Sequence, residues 1–422
     1  MQAPSGARSR GEPEARRSGS GEASGERVAG SEARPGPAML DGIRVLDLSS
    51  VGPAARCSRI LADLGAAVVK LGPPARKGGV QIEPPFFGYA GGRGMQRVRI
   101  DLKSAQGRDA FLRLAAASDV MIESFRPGVA SRLGVGFEDV RARNAAIVYC
   151  STSGYGQDGP RAQWAGHDLN YLAAAGYLAC SSPRADDGPP IPGATLADSA
   201  GGGMHAAIAI LAALLRRART GEGAYLDVSV AEGVLSLMAL HVDDHLATGA
   251  EPGPGTNVLT GRFACYDCYP ARDGKWLAVA AIEPAFFANL CRALGLERFI
   301  PHQTDDARQG EIRAAFREAF AKRDRDEWVA ELGPRDTCVS AVAGVAELAR
   351  DPQLLHRRAF VEAKHPERGS FRQVGPVLAG AVRPSEPVLL RGSARTDTDA
   401  CLRAAGLEAR EIERLRAEGV VE

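Results

Sequence analysis

The stretch IRVLDLSSVGPAARCSRILADLGAAVVKLG, residues 43–72, constrains the fold more than any other part of the chain. IRVLDLSS (43–50) is an apolar run rich in branched side chains and closed by a Gly-Pro pair, which predicts a buried strand. PAARCSRILADLGA (53–66) then carries apolar residues at helical spacing, and AVVKLG (67–72) predicts a second strand. Strand, helix and strand in such close succession form a βαβ unit, whose strands are parallel and whose crossover is right-handed. A parallel sheet needs cover on both faces, so the chain is committed to helices on two sides. The pattern continues through VRIDL (98–102), a helix over 104–117, DVMIESF (119–125) and AAIVYCSTS (145–153). A long helix over about 199–219 and YLDVSV (225–230) complete it. We therefore expect an α/β, doubly wound, Rossmann-like large domain over 39–230.

The texture changes beyond it. EPGPGTN (251–257) marks a linker by its Pro and Gly content, and we place that linker at 231–261. CYDCYPARDGKWLAVAA (265–281) predicts a β-hairpin turning at RDGK, followed by helices near 284–295, 309–322 and 325–332. A smaller α+β domain over 262–365 follows, and the tail 384–422 ends in two charged helices. Residues 1–38 hold seven Gly, six Ser, six Arg and five Glu, with one Val and no aromatic residue. Burial cannot offset the ordering entropy of such a segment, which is expected to be a disordered tail; translation from Met39 is the alternative.

Composition excludes several function classes. With 52 basic and 51 acidic residues the net charge is +1, which gives a nucleic-acid backbone little to hold. The apolar run AAIAILAALL (206–215) is about half the length that spans a bilayer. The eight cysteines are scattered and read as reduced thiols in a cytoplasmic protein.

Motifs then narrow the chemistry. GYGQDG (154–159) matches a dinucleotide fingerprint but runs into Pro160 rather than a helix, so it reads as a loop that a ligand can approach closely. CYDC (265–268) lacks the second pair that a zinc ribbon needs. HVDDH (241–245) sets two histidines on one helix face without a third ligand, and no metal site is assigned. GHD (166–168) places His167 at the head of an alanine-rich run, LADSAGGGMH (196–205) places Asp198 before three glycines at a helix start, and Glu283 precedes Pro284 at another. Each could be a simple helix cap. Together they are consistent with a proton-transfer site.

The runs LDGIRVLDLSSVGPAARCSRILADLGAAVVKL, DLKSAQG, ESFRPGVASRLGVG, YCSTSGYGQDGPRAQWAGHDLNYLAAAGYL, LADSAGGGMHAAIAILAALLRRARTGEGAYLDVSV and DGKWLAVAAIEPAFF resemble the family III CoA-transferases (CaiB/BaiF), and among them the α-methylacyl-CoA racemase branch. The resemblance implies a Rossmann-like CoA-binding domain completed by residues 366–422, a small domain on long linkers, and an interlocked homodimer. It implies an acyl-CoA thioester as partner, with coenzyme A brought in as part of the substrate and no permanently bound cofactor. By the same likeness, the shared aspartate falls on Asp198, the histidine base on His167, and the glutamate that orients it on Glu283. CoA contacts fall on Arg93, Asp101, Leu102, Lys103, Glu123, Arg126, Arg132 and the loop Gly154, Tyr155, Gly156. The pattern departs at Gly72-Pro73-Pro74, where relatives carry an arginine against the adenine, at Met95 in place of a lysine, and at GRFACY (261–266).

Two chemistries fit these residues. Bases on opposite faces of a thioester α-carbon would racemise 2-methyl-branched acyl-CoA, with His167 on one face and Asp198 on the other. Alternatively Asp198 alone would carry CoA between carboxylic acids through an acyl anhydride. A non-catalytic acyl-CoA-binding protein is a third reading, of a different class.

Overall fold

A computed structural model describes residues 37–75, 85–183, 187–392 and 395–422. The tail expected to be disordered lies almost wholly outside the described residues. Six strands form the main sheet: β1 (Arg44–Asp47), β2 (Ala67–Gly72), β3 (Gln96–Arg99), β4 (Val120–Glu123), β5 (Val148–Ser153) and β6 (Ala224–Ser229). Their order is β3-β2-β1-β4-β5-β6 and every pairing is parallel. The order reverses between β1 and β4, where a doubly wound sheet opens a crevice at its carboxyl edge.

Alternation along the strands divides the core. Val45, Val68, Val120, Ile122, Val148 and Cys150 face the helices Gly52–Asp63 and His205–Thr220. Leu46, Met121 and Tyr149 face the helix Ala105–Ala116 and the chain's last two helices, Thr398–Ala404 and Ala409–Ala417. Each fully buried large side chain contributes roughly 1.5–3 kcal/mol. Ile100 bridges to Val421, so the carboxyl terminus closes over the end of β3.

A second sheet holds β7 (Tyr266–Pro270), β8 (Trp276–Ala280) and β9 (Val339–Ala341) in antiparallel order. Tyr269, Phe287, Phe316, Phe320 and Trp328 pack its core. A third sheet, unforeseen in the sequence, joins β10 (Phe360–His365), β11 (Gly369–Val374) and β12 (Val388–Leu389). Its hairpin runs across the domain boundary expected at residue 365. The segment expected to be a linker, 231–261, is helical through much of its length, as Val230–Leu237 and Ala239–Thr248.

The long helix runs continuously over Ala197–Thr220 and is long and apolar enough to cross a membrane, beyond the ten-residue run that the sequence suggested. One face, with Ala206, Ala207, Ile210 and Ala213, is spent on the main core. The other exposes Met204, Ile208 and Leu215, and the next two helices expose Leu235, Leu237, Leu240 and Leu246.

Candidate active site

The crevice at the switch point is a cavity of about 960 Å³. Its walls come from the ends of β1 (Leu48–Val51), β2 (Lys70–Pro73) and β3 (Arg97–Lys103), from Pro85–Tyr89, and from His365 in the third sheet with Arg368 and Arg391 beside it. Six basic side chains line it: Lys70, Arg97, Arg99, Lys103, Arg368 and Arg391. They face two acidic ones, Asp101 and Glu367. A basic crevice of this size suits a phosphate-bearing ligand with an apolar body. Lys70 is held by Asp47 at 2.7 Å and Ser49 Oγ at 3.2 Å.

The structure sorts the residues assigned to CoA. Asp101, Leu102 and Lys103 line the crevice. Arg126 and Arg132 are exposed, and their neighbours Phe125 and Leu133 are wall residues. Arg93 is not available for a phosphate. Its guanidinium is buried, donates to Asp63 Oδ1 at 2.9 Å and to Val374 O at 3.0 Å, and so ties the first helix to the third sheet. Glu123 is likewise internal: its Oε2 accepts from the Phe125 amide at 2.7 Å, and burial raises its carboxyl above the ordinary range. Gly154 is needed for packing, because a Cβ there would lie 2.4 Å from the Tyr171 ring. Tyr155 packs edge-on against the same ring, and Gly156 turns through φ +90°. The wall residues Arg97 and Arg99 escaped the sequence reading, although arginines alternating on an otherwise buried strand are a usable signal.

The acid–base cluster is built on two helix starts. His167 caps the helix Asp168–Ala174 with extended backbone, its amide donating to Asn170 Oδ1 at 3.0 Å, and its side chain is exposed. Asp168, next in the chain, accepts from the Asp198 amide through Oδ1 at 2.8 Å and so locks the two elements together. That role was not foreseen. Asp198 sits in a π-helical turn, Ala197–Met204, which leads into the helix His205–Thr220. π-helical turns concentrate at functional sites. The three glycines after Asp198 permit a close crossing. A Cβ on Gly202 would lie 2.4 Å from Pro53 Cβ, and one on Gly201 would lie 3.0 Å from Val230 O.

Burial raises the Asp198 carboxyl above the ordinary range and the nearby Asp168 adds to this, while Arg56 and His167 pull it down. His167 and Asp198 are thus electrostatic neighbours. Glu283 does not join them within the chain. It caps the helix Pro284–Leu294, is exposed, and among the described residues its side chain has no hydrogen-bond or ion-pair partner.

The raised carboxyl has a consequence for stability. The folded state holds the Asp198 proton more tightly than the unfolded chain does, so the fold is burdened when that group ionises. Asp198→Asn should therefore raise the thermal midpoint at pH 7. The gain should shrink as the pH falls through the carboxylate range, where the native aspartate is already neutral. Melting curves at both pH values check this, and a midpoint lowered at pH 7 would contradict it.

Residues 40–389 match the family described as CoA-transferase family III. The human alpha-methylacyl-CoA racemase is 32% identical over 385 residues, covering 91% of this chain and 97% of that protein. The acetyl-CoA:oxalate CoA-transferase of Acetobacter aceti is 30% identical, covering 84% of this chain and 89% of that one. Among solved structures, a CAIB/BAIF family protein from Brucella suis superposes with a TM-score of 0.70 at 26% identity, covering 87% of this chain and 99% of that chain. The chain belongs to family III of the CoA-transferases, a family of enzymes that use CoA thioesters and include both racemases and transferases.

Proposed function

We propose that this chain is an acyl-CoA racemase or epimerase, which inverts the α-carbon of 2-methyl-branched thioesters by a two-base, 1,1-proton transfer. The observation that carries this reading is that His167 and Asp198 lie near each other, on two elements joined by the hydrogen bond from the Asp198 amide to Asp168 Oδ1. One group takes the α-proton from its face of the carbon and the other returns a proton to the opposite face. Asp198 is suited to carry a proton because burial raises its carboxyl. CoA transfer through Asp198 makes no use of a base at 167. The test is incubation of a 2-methylacyl-CoA in deuterium oxide. Label at the α-carbon with loss of enantiomeric purity supports the reading, whereas CoA passing to an acceptor acid without label overturns it.

The site also needs a group to orient the imidazole. We propose that the enzyme is a homodimer in which the partner's Glu283 reaches His167, as the carboxylate of a triad does. The unpartnered Glu283 and the uncovered apolar side chains on 197–248 support this. Light scattering should return twice the chain mass of 44.4 kDa, and a monomer at working concentration would exclude the arrangement.

A further inference from the structure

Arg56, a cation beside Asp198, has no carboxylate of its own among the described residues. It lies in the helix Gly52–Asp63, where its Nη2 donates to Thr195 Oγ1 and its guanidinium carbon stands 4.9 Å from the centre of the Tyr89 ring. Its Nε is buried without a hydrogen-bond partner. Among the described residues it forms no ion pair. A guanidinium offers five donors in a planar fork, and most of this fork is unspent.

Its position is fixed from both sides. A Cβ on Gly203 would lie 2.8 Å from Arg56 Cβ and 3.0 Å from Asp198 O, so Arg56 rests on the turn that carries Asp198. On its other side is Tyr89, a wall residue of the large crevice, held at φ +48° beside Ala90 at φ +59°. Two consecutive non-glycine residues in the left-handed region are costly and persist where a site requires them. Arg56 therefore stands at the junction between the crevice and the acid–base cluster. The basic residues suited to CoA phosphates lie elsewhere in the crevice, at Lys103 and Arg97, with Arg391 held by Asp397. A counter-ion serving Asp198 alone would sit within ion-pair distance of it.

We propose that Arg56 binds a free carboxylate on the acyl group, which makes short dicarboxylic acyl-CoA thioesters the substrates of this enzyme. The inference rests on the racemase reading above and names its substrate class. The short chain follows from position: a carboxylate that reaches Arg56 while the α-carbon stands at Asp198 is only a few bonds from that carbon. Charge-assisted hydrogen bonds of this kind discriminate strongly, since a neutral analogue leaves the buried Nε donor unpaired.

The test compares 2-methylglutaryl-CoA, with its thioester on the carbon next to the methyl branch, with 2-methylpentanoyl-CoA of equal length. The readout is kcat/KM for α-deuterium incorporation. The wild-type enzyme should prefer the carboxylate by at least about 30-fold. R56Q should bring the ratio near unity, and R56K should restore part of it. The ratio is insensitive to a general loss of active protein. If R56Q does not fold, the wild-type preference still decides. Wild-type turnover of both thioesters at equal efficiency overturns the substrate class and the role of Arg56, a preference that survives in R56Q overturns the role of Arg56, and either leaves the racemase reading standing. Absence of label from both thioesters overturns the racemase reading and this proposal with it.

Discussion

On the proposed two-base mechanism, replacing His167 with alanine lowers kcat/KM for racemisation by about 10²-fold or more, the loss typical of an essential acid–base group. The fold should hardly notice. The imidazole is exposed, and the cap at this position is made by the backbone amide on Asn170 rather than by the ring. Surface substitutions of this kind change stability by about 0.5 kcal/mol or less. Asp198 remains in place, still held through its amide by Asp168. The variant should therefore keep slow α-exchange for the enantiomer whose hydrogen faces Asp198, without inversion. Chiral analysis of labelled thioester reads this directly. Equal residual exchange with both enantiomers would show that the two groups do not serve opposite faces.

Asp63→Asn produces the largest expected effect on stability, although it lies outside the acid–base cluster. The Asp63 carboxylate pairs with Arg59 at 2.7 Å and with Arg93 at 2.9 Å, all three side chains being largely buried. Burial and the neighbouring Arg93 push the Arg59 guanidinium down to about 10, opposed by Asp63. Removing the carboxylate leaves two desolvated cations facing each other, a loss of about 3–5 kcal/mol. It also loosens the tie from the first helix to Val374 and the third sheet, whose own His365 forms part of the crevice wall. Urea denaturation measures the loss. In a double-mutant cycle, Arg93→Gln should recover part of it, because it removes one of the stranded charges. A loss below about 1 kcal/mol would mean that water reaches the network and screens it.

Much of this architecture was legible in the amino-acid sequence. The central strands could be read because strands buried on both faces are apolar runs, and the intervening helices announce themselves through devices such as the Ser104 cap, whose Oγ accepts from the Gly107 amide at 3.0 Å. The third sheet was hidden. FVEAKH does alternate, but its inward residues are Val361, Ala363 and His365, a weak apolar signal that is interrupted by a buried histidine. The helix Ala239–Thr248 was absorbed into a linker because it buries no residue within the chain, so its sequence carries no core-facing stripe.

The candidate site divides in the same way. His167 and Asp198 stand out because an ionisable residue opens an otherwise apolar element. Arg56 does not, since an arginine in a helix ordinarily marks a solvated face. Its placement depends on Gly203 lacking a side chain, a relation between residues far apart in the chain. Arg93 shows the converse. Its charge is visible in the sequence, but the carboxylate that holds it belongs to the helix Gly52–Asp63.

The backbone crossing at the three glycines limits how this enzyme can change over evolutionary time. Gly233 meets the carbonyl of Gly201 so closely that a methyl group there would overlap it, and Gly202 is blocked by Pro53. The turn that carries Asp198 can therefore neither recede nor grow, so new substrate preferences must arise at side chains around it, such as Arg56 and Tyr89. Libraries randomised at 201–203 should yield insoluble protein, whereas diversity at 56 and 89 is where altered selectivity should be found.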